Sequence, residues 1–290
     1  MSSRTITRWI RPMVPRAIRA PLAAAKRMLL AREARIERQY RRLADSPALR
    51  PEQHDLLTRV SRTISWREGV FDGDTAHYLR VGLSAIACID TALQRAGVGA
   101  PRRILDLPSG HGRVLRFLAQ RFPDARITAC DIDRDGVDFC VREFGATGAY
   151  SQPDLDGLSL DTDFDLIWCG SLVTHLDAGQ IAALLRFFRR HLAPHGVCVF
   201  TTHGDFVAKR LPTGEFDYGL EPAVMARMTA EYPQGGFAYA DYANASGYGV
   251  SISSPAWVRE VARATGLREV YFAARGWDAH QDVFAFTPAA

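Results

Sequence analysis

The stretch "ILDLPSGHGRVL", residues 104–115, decides how this chain is read. Apolar residues ending in Asp106 run into a loop with Gly110 and Gly112, and apolar residues then resume. A short apolar run bounded by Gly, Pro and Ser reads as a buried strand, and the apolar residues after it as the start of a helix. Glycines in such a turn let the backbone approach a ligand, while the first N–H groups of the helix lack intrahelical partners and face it. A strand, a glycine turn and a helix in that order are the context a nucleotide site requires.

Two details select among nucleotides. A G-x-G-x-x-G fingerprint for a dinucleotide needs a third glycine where Leu115 stands, and no G-x-x-x-x-G-K-[ST] sequence for a triphosphate occurs. Asp106 places a carboxylate at the strand end, which opposes a pyrophosphate and suits a ligand carrying an ammonium group. The expected guest is a zwitterionic or cationic nucleoside. The following run "ITACDID" ends its strand at Asp131, about 20 residues beyond the glycines, where an acid can accept hydrogen bonds from ribose hydroxyls. Asp133 fits better as the N-cap of the next helix.

Outward from this turn, β-type and helical runs alternate. Strands are expected at 103–107, 126–131, 148–150, 164–169 and 196–202, and helices near 111–121, 134–143 and 177–191. The segment from Thr75 to Gly97 precedes them as an amphipathic helix stopped by its glycine. This rhythm predicts an α/β fold, a doubly wound, mostly parallel sheet covered by helices on both faces. A helix from Ser254 and Pro255 and strands at 268–274 and 282–287 complete seven strands. The turn "RGWDAHQ" is too short for a helical crossover, so the last strand is antiparallel.

Four segments follow: a basic helical arm at 1–55, a core at 56–204, an aromatic insert at 205–248, and the rest of the core at 249–290. The insert contains Phe206, Phe216, Tyr218, Tyr232, Tyr242 and Tyr248, and its acids outnumber its bases. It reads as a lid for a polar, uncharged or cationic acceptor, or as a second small core.

The chain has 36 Lys and Arg against 32 Asp and Glu, a net charge of +4. Its first 50 residues alone carry 13 basic residues against Glu33, Glu37 and Asp45, so the body is net acidic. That argues against nucleic acid as the body's substrate. Within the arm, Pro12, Pro15 and Pro21 forbid one continuous helix, and residues 22–43 should be helical with a narrow seam of Leu22, Leu29, Ile36 and Leu43. Three readings stay open for it: a solvated extension packed on the body or a partner, an interfacial helix on an anionic membrane, or a cleaved transit segment. The absence of a long apolar run predicts a soluble, cytoplasmic protein, at most peripheral at a membrane surface. Cys88, Cys130, Cys140, Cys169 and Cys198 show no C-x-x-C pair and read as reduced core residues, with no metal site indicated.

"ILDLPSGHGR", "CDID" and "FDLIWCGSLVTHL", in this order, resemble the first, second and fourth motifs of the class I S-adenosylmethionine-dependent methyltransferases. "HLAPHGVCVFTTHG" is similar to the helix, turn and fifth strand that follow in that family. The resemblance covers about residues 75–204 closely and 249–290 loosely. It implies a Rossmann-like methyltransferase with S-adenosylmethionine as cofactor. Asp106, Gly110 and Gly112 would line the methionine portion, Asp131 would hold the ribose, and Ile132 would lie against the adenine. Ser151 and Gln152 fall where the adenine edge is contacted, and Cys169, Gly170 and Ser171 would face the amino group and the acceptor. Tyr78 is a further candidate.

A base is required only where the acceptor loses a proton. His175 and His203, each following a core strand, are the candidates for it; His280 is a third histidine at a strand end, and His111 suits capping. The expected reaction is O-methylation of a small-molecule or glycan hydroxyl, with N-methylation of an amine or non-catalytic binding as alternatives. Oligomeric state and acceptor are not encoded in these motifs.

Overall fold

The computed structural model describes residues 16–289, and readings that concern residues 1–15 lie outside it. A seven-stranded sheet runs in the order β3-β2-β1-β4-β5-β9-β8. Its strands are β1 (Arg103–Asp106), β2 (Arg126–Asp131), β3 (Thr147–Tyr150), β4 (Phe164–Cys169), β5 (Leu192–Thr202), β8 (Leu267–Trp277) and β9 (Gln281–Pro288). β1 to β5 pair in parallel, and β9 lies antiparallel between β5 and β8. The short connection between the last two strands enforces that direction, as expected.

Helices cover both faces because parallel strands need crossovers. On one face α3 (Thr75–Ala96) and α4 (Leu115–Arg121) bury Leu79, Ile86, Ile89 and Phe117 against Ile104, Leu166 and Val199. On the other, α6 (Ala178–His191) and α9 (Pro255–Ala264) pack Leu184, Phe188 and Val258 against Ile167, Cys198 and Phe284. Gly97, in the left-handed conformation at φ 68°, ends α3 as its position suggested. The third crossover helix, α5 (Arg134–Phe144), is capped by Asp133, whose side chain accepts from the Asp135 N–H. The strand order reverses between β1 and β4, so the crevice of this sheet opens at their carboxyl ends.

Several element boundaries differ from the sequence reading. The helix after the glycine turn begins at Leu115 instead of near residue 111, because Gly110 and Gly112 hold left-handed φ values of 48° and 77°. β5 begins already at Leu192, where it pairs with Phe164, and β8 runs to Trp277, leaving a tight turn at 278–280. α1 (Arg16–Ala44) starts ahead of Pro21, which falls in its opening turns instead of preceding it.

The insert builds a small core of its own. After the short α7 (Asp205–Ala208), α8 (Pro222–Gly235) and the hairpin of β6 (Phe237–Tyr242) with β7 (Ala245–Ser253) enclose Leu211, Leu220, Met228, Ala238, Val250 and Ile252. The hairpin runs past residue 248 because Val250 and Ile252 belong to that core.

At the opposite rim, α2 (Pro51–Arg59) and a non-helical strap at 60–74 lead into α3. The strap is fastened by Arg116 of α4, which is 1 % exposed. Its Nε donates to the Gly112 carbonyl at 3.0 Å, its Nη1 to Ser61 and Thr63 carbonyls at 2.9 and 3.0 Å, and its Nη2 to Tyr78 Oη at 3.2 Å. Arg116→Met should lower unfolding free energy by about 3 kcal/mol or more, since buried carbonyls lose a charged donor. Chemical denaturation of the two proteins measures it.

Candidate functional site

Asp106 closes β1 at the centre of the sheet. It is 1 % exposed, and neither carboxylate oxygen has a hydrogen-bond partner. Burial pushes its pKa well above the usual carboxylate range, the Asp131 charge pushes it further, and Arg113 opposes both. The buried Ser109 hydroxyl beside it is also without a partner. An acceptor group of this kind, buried and unsatisfied, is stable only when a donor arrives. A ligand ammonium is the donor that returns most of the desolvation cost.

The glycine turn is held from β2. Asp131, 7 % exposed, accepts the Gly110 N–H at 2.7 Å on one oxygen and the Asp133 N–H at 2.9 Å on the other. Each oxygen keeps one further lone-pair direction for a ligand hydroxyl. Burial raises its pKa and these N–H groups hold it down. At Gly112 an added Cβ would sit 2.4 Å from the Phe144 ring, so both its φ and its packing require glycine. At Gly110 a Cβ would meet nothing within 4 Å, which leaves backbone open on the ligand side. His111 is 2 % exposed, with its Nε2 3.0 Å from Asp135 Oδ2; among the described residues it caps no backbone group, and it stands in the lining of the site.

Asp106, Ser109, Gly110, His111 and Asp131 line a cleft of about 440 Å³ together with Ile132, Gly170, Ser171 and His175, whereas Gly112 shapes the turn from behind the lining. Ile132 is 62 % exposed there, unusual for a large apolar side chain at a sheet edge. Ser171 sits at φ 65°, a left-handed conformation that costs a non-glycine residue about 1 kcal/mol or more. Its N–H donates to Thr201 Oγ1 at 2.8 Å, and its hydroxyl accepts from Gln281 Nε2 at 3.0 Å. β5 and β9 thus fix the residue that follows β4.

His175 ends a short 3₁₀ turn after β4 and is clamped by the hairpin. Its Nδ1 lies 2.8 Å from the Gly249 carbonyl and 3.1 Å from Tyr242 Oη, and Tyr248 stacks on the ring at 4.9 Å. A carbonyl only accepts, so Nδ1 carries the proton and Nε2 the lone pair. Burial lowers the pKa of this histidine.

Other expected site residues stand elsewhere. His203 is 4 % exposed, is absent from the cleft lining, and has an unpartnered Nδ1; burial first, then the neighbouring His280 and His175, push its pKa down to about 3. It packs with Tyr218, whose hydroxyl meets His280 Nε2 at 2.9 Å. Ser151 donates its N–H to the Asp131 carbonyl at 2.8 Å, Gln152 bonds the Asp154 carbonyl, and neither side chain lines the cleft. Cys169 is fully buried in the core. Tyr78 is buried too, its hydroxyl donating to Glu68 Oε2 at 2.7 Å, so it steadies a residue of the rim instead of lining the cleft.

Sequence reasoning missed Glu68, Val70, Arg113, Trp168 and Trp277, all of which line the cleft. The Arg113 guanidinium lies 5.5 Å from the centre of the Trp277 ring, and among the described residues no hydrogen bond or ion pair reaches it. Arg113 stood in the opening stretch, and a cation beside an unpaired Asp106 was the available signal. Among the described residues no His, Cys, Asp and Glu cluster could hold a metal ion, and no helix is long and apolar enough to cross a membrane.

A family model described as a methyltransferase domain matches residues 104–196. Trans-aconitate 2-methyltransferase of Methylobacterium nodulans is 29% identical over 125 residues, covering 43% of this chain and 47% of that protein. The chain thus spans about half the length of the curated relative it matches. An S-adenosylmethionine-dependent methyltransferase from Clostridium acetobutylicum superposes with a TM-score of 0.51 at 12% identity, over 71% of this chain and 92% of that one. Streptomyces venezuelae DesVI gives 0.51 at 15% identity, over 73% and 93%. These two share the fold. The matched segment, residues 104–196, runs from β1 through the glycine turn and β4 into β5, so the part of the chain that builds this cleft is similar to a methyltransferase domain, and its buried, unpartnered carboxylate suits a ligand ammonium.

Proposed function

We propose that this enzyme methylates a hydroxyl oxygen of a small molecule or glycan, with His175 as general base. The observation that carries the reading is the fixed tautomer of His175: the Gly249 carbonyl holds Nδ1–H, leaving Nε2 as a proton acceptor on a residue that lines the cleft. Amines deliver a lone pair without such help once neutral, whereas an alcohol must lose a proton as it is alkylated. His203, buried outside the lining and pushed to low basicity, is assigned no part in proton transfer.

Asp106 would take the cofactor's ammonium, Arg113 its carboxylate, Asp131 the ribose hydroxyls and Ile132 the adenine face. Ser151 and Gln152 are assigned no contact, since they lie off the lining. When bound, S-adenosylmethionine supplies an electrophilic methyl group on a sulfonium whose leaving group is a neutral thioether. The chain's residues do the rest. Gly170 and Ser171 bound the acceptor side, the Tyr242 and Tyr248 rings exclude water over His175, and Nε2 receives the hydroxyl proton as the new C–O bond forms.

His175→Ala should lower kcat by about 10²- to 10⁴-fold while leaving S-adenosylhomocysteine affinity within about twofold, measured by turnover and calorimetry. Because burial lowers the pKa of His175, its basic form persists into acid, and kcat/KM should fall only as pH drops through a value below the ordinary imidazole 6.5. An unchanged rate in the variant on a hydroxyl acceptor overturns the assignment. Asp106→Asn should weaken S-adenosylhomocysteine binding by about 10- to 100-fold, the worth of one charged hydrogen bond. The same change should raise the thermal midpoint of the ligand-free protein. The sign follows from the raised pKa: the folded state holds a proton that the unfolded chain releases, so ligand-free stability declines as pH rises from the ordinary carboxylate range toward the raised value.

A further inference from the structure

The lower half of α1 is seated on the body through Ile36, Tyr40 and Leu43, all buried. The turns before it are not. Met28, Leu29 and Leu30, three consecutive apolar residues, are 74%, 52% and 53% exposed. Beside them Trp66 of the strap is 79% exposed, and Leu29 and Trp66 line one groove. This tryptophan is not loose: Arg32 of α1 donates to the Ile64 and Ser65 carbonyls, each at 3.0 Å, and fixes the strap against the helix. The Arg67 guanidinium lies 5.0 Å from the Trp66 ring centre. Lys26 and Arg27 immediately precede the apolar triplet, and residues 24–44 hold seven basic residues against Glu33 and Glu37. The groove's own Arg62 and Arg67 pair with Glu37 and Asp135, whereas Lys26 and Arg27 stand in no ion pair among the described residues, next to an apolar cluster larger than the single exposed residues that are ordinary.

We infer that this end of α1, where Leu29 shares a groove with Trp66 and Lys26, Arg27, Met28 and Leu30 stand exposed around the same turns, docks the protein on the surface of an anionic lipid bilayer. A bilayer meets both halves of the pattern. Its acyl boundary receives the leucines and methionine, its interface suits an indole with a polar edge, and its negative headgroups attract the cations. An acidic protein groove would match the charge but would need a shape complementary to a projecting indole. The strap carrying Trp66 continues to Glu68 and Val70 in the cleft lining, so the docked face and the mouth of the cleft share one segment. This inference stands apart from the choice of methyl acceptor.

The test is sedimentation of the full chain with phosphatidylcholine vesicles, with and without phosphatidylserine. Binding is expected only with phosphatidylserine, and it should weaken as salt is raised. A Leu29→Asp, Trp66→Ser double variant should lose about tenfold or more in partition, because two apolar anchors are removed. Both positions are exposed, and an unchanged far-ultraviolet circular dichroism spectrum establishes that the variant is folded. A full chain that stays in the supernatant, or a double variant that sediments equally, overturns the proposal. So does light scattering that shows a dimer of the full chain, dissolved by the double variant, with no vesicle binding by either.

Discussion

A single buried guanidinium joins three pieces of chain. Arg116 reaches the strap through the carbonyls of Ser61 and Thr63, the glycine turn through that of Gly112, and α3 through Tyr78. Its charge is spread over carbonyl and hydroxyl oxygens and over the faces of Tyr78 and Phe144, whose ring centres lie 5.2 Å away. Neutral oxygens in a planar fork geometry suit guanidinium, which carries five donors and gives up its hydration more readily than an ammonium. The rim of the cleft therefore inherits its position from α4. Glu68 is fixed in turn by the hydroxyl that Arg116 also contacts.

Around that frame the cleft keeps charge in an unsettled state. Asp106 and Asp131 are both buried, and only the second is satisfied by backbone donors. Arg113, the cation of the same cleft, stands over Trp277 instead of pairing with either. A protein selected for stability alone would pair or remove these groups. Their arrangement instead suits the two charges of an amino acid, and binding such a ligand would return the energy withheld from folding.

The opening stretch was informative because its constraints are local. A strand end, two left-handed glycines and a carboxylate lie within a dozen residues, and each residue type reports its own geometry. Asp131 was legible for a similar reason, although its grip on the Gly110 N–H is a tertiary fact with no sequence signature. Gly170 and Ser171 were placed through the strand that precedes them. The strap escaped because residues 60–74 have neither helical nor strand periodicity, and their position is written in Arg116, far along the chain. Trp168 and Trp277 stand edge to face at 5.5 Å across a separation that no spacing rule spans. Ser151, Gln152 and His203 show the reverse difficulty: a strand end was recognised, yet which way its side chains turn depends on neighbours. His203 packs against Tyr218 and His280, the first from an insert whose course the sequence hid among aromatics and the second from the tight turn before β9.

The place of β9 has a consequence for the order in which the molecule is made. It bonds β5 on one side and β8 on the other, so β8 joins the sheet only through a strand that follows it in the chain. During synthesis the parallel half can assemble early, each strand meeting a partner already present. β5 must wait with one edge unpaired until β9 emerges. The indole of Trp277, which donates to the Val81 carbonyl at 3.0 Å, likewise closes against α3 only then. Trp277, one wall of the cleft, is thus the last of its lining residues to be fixed.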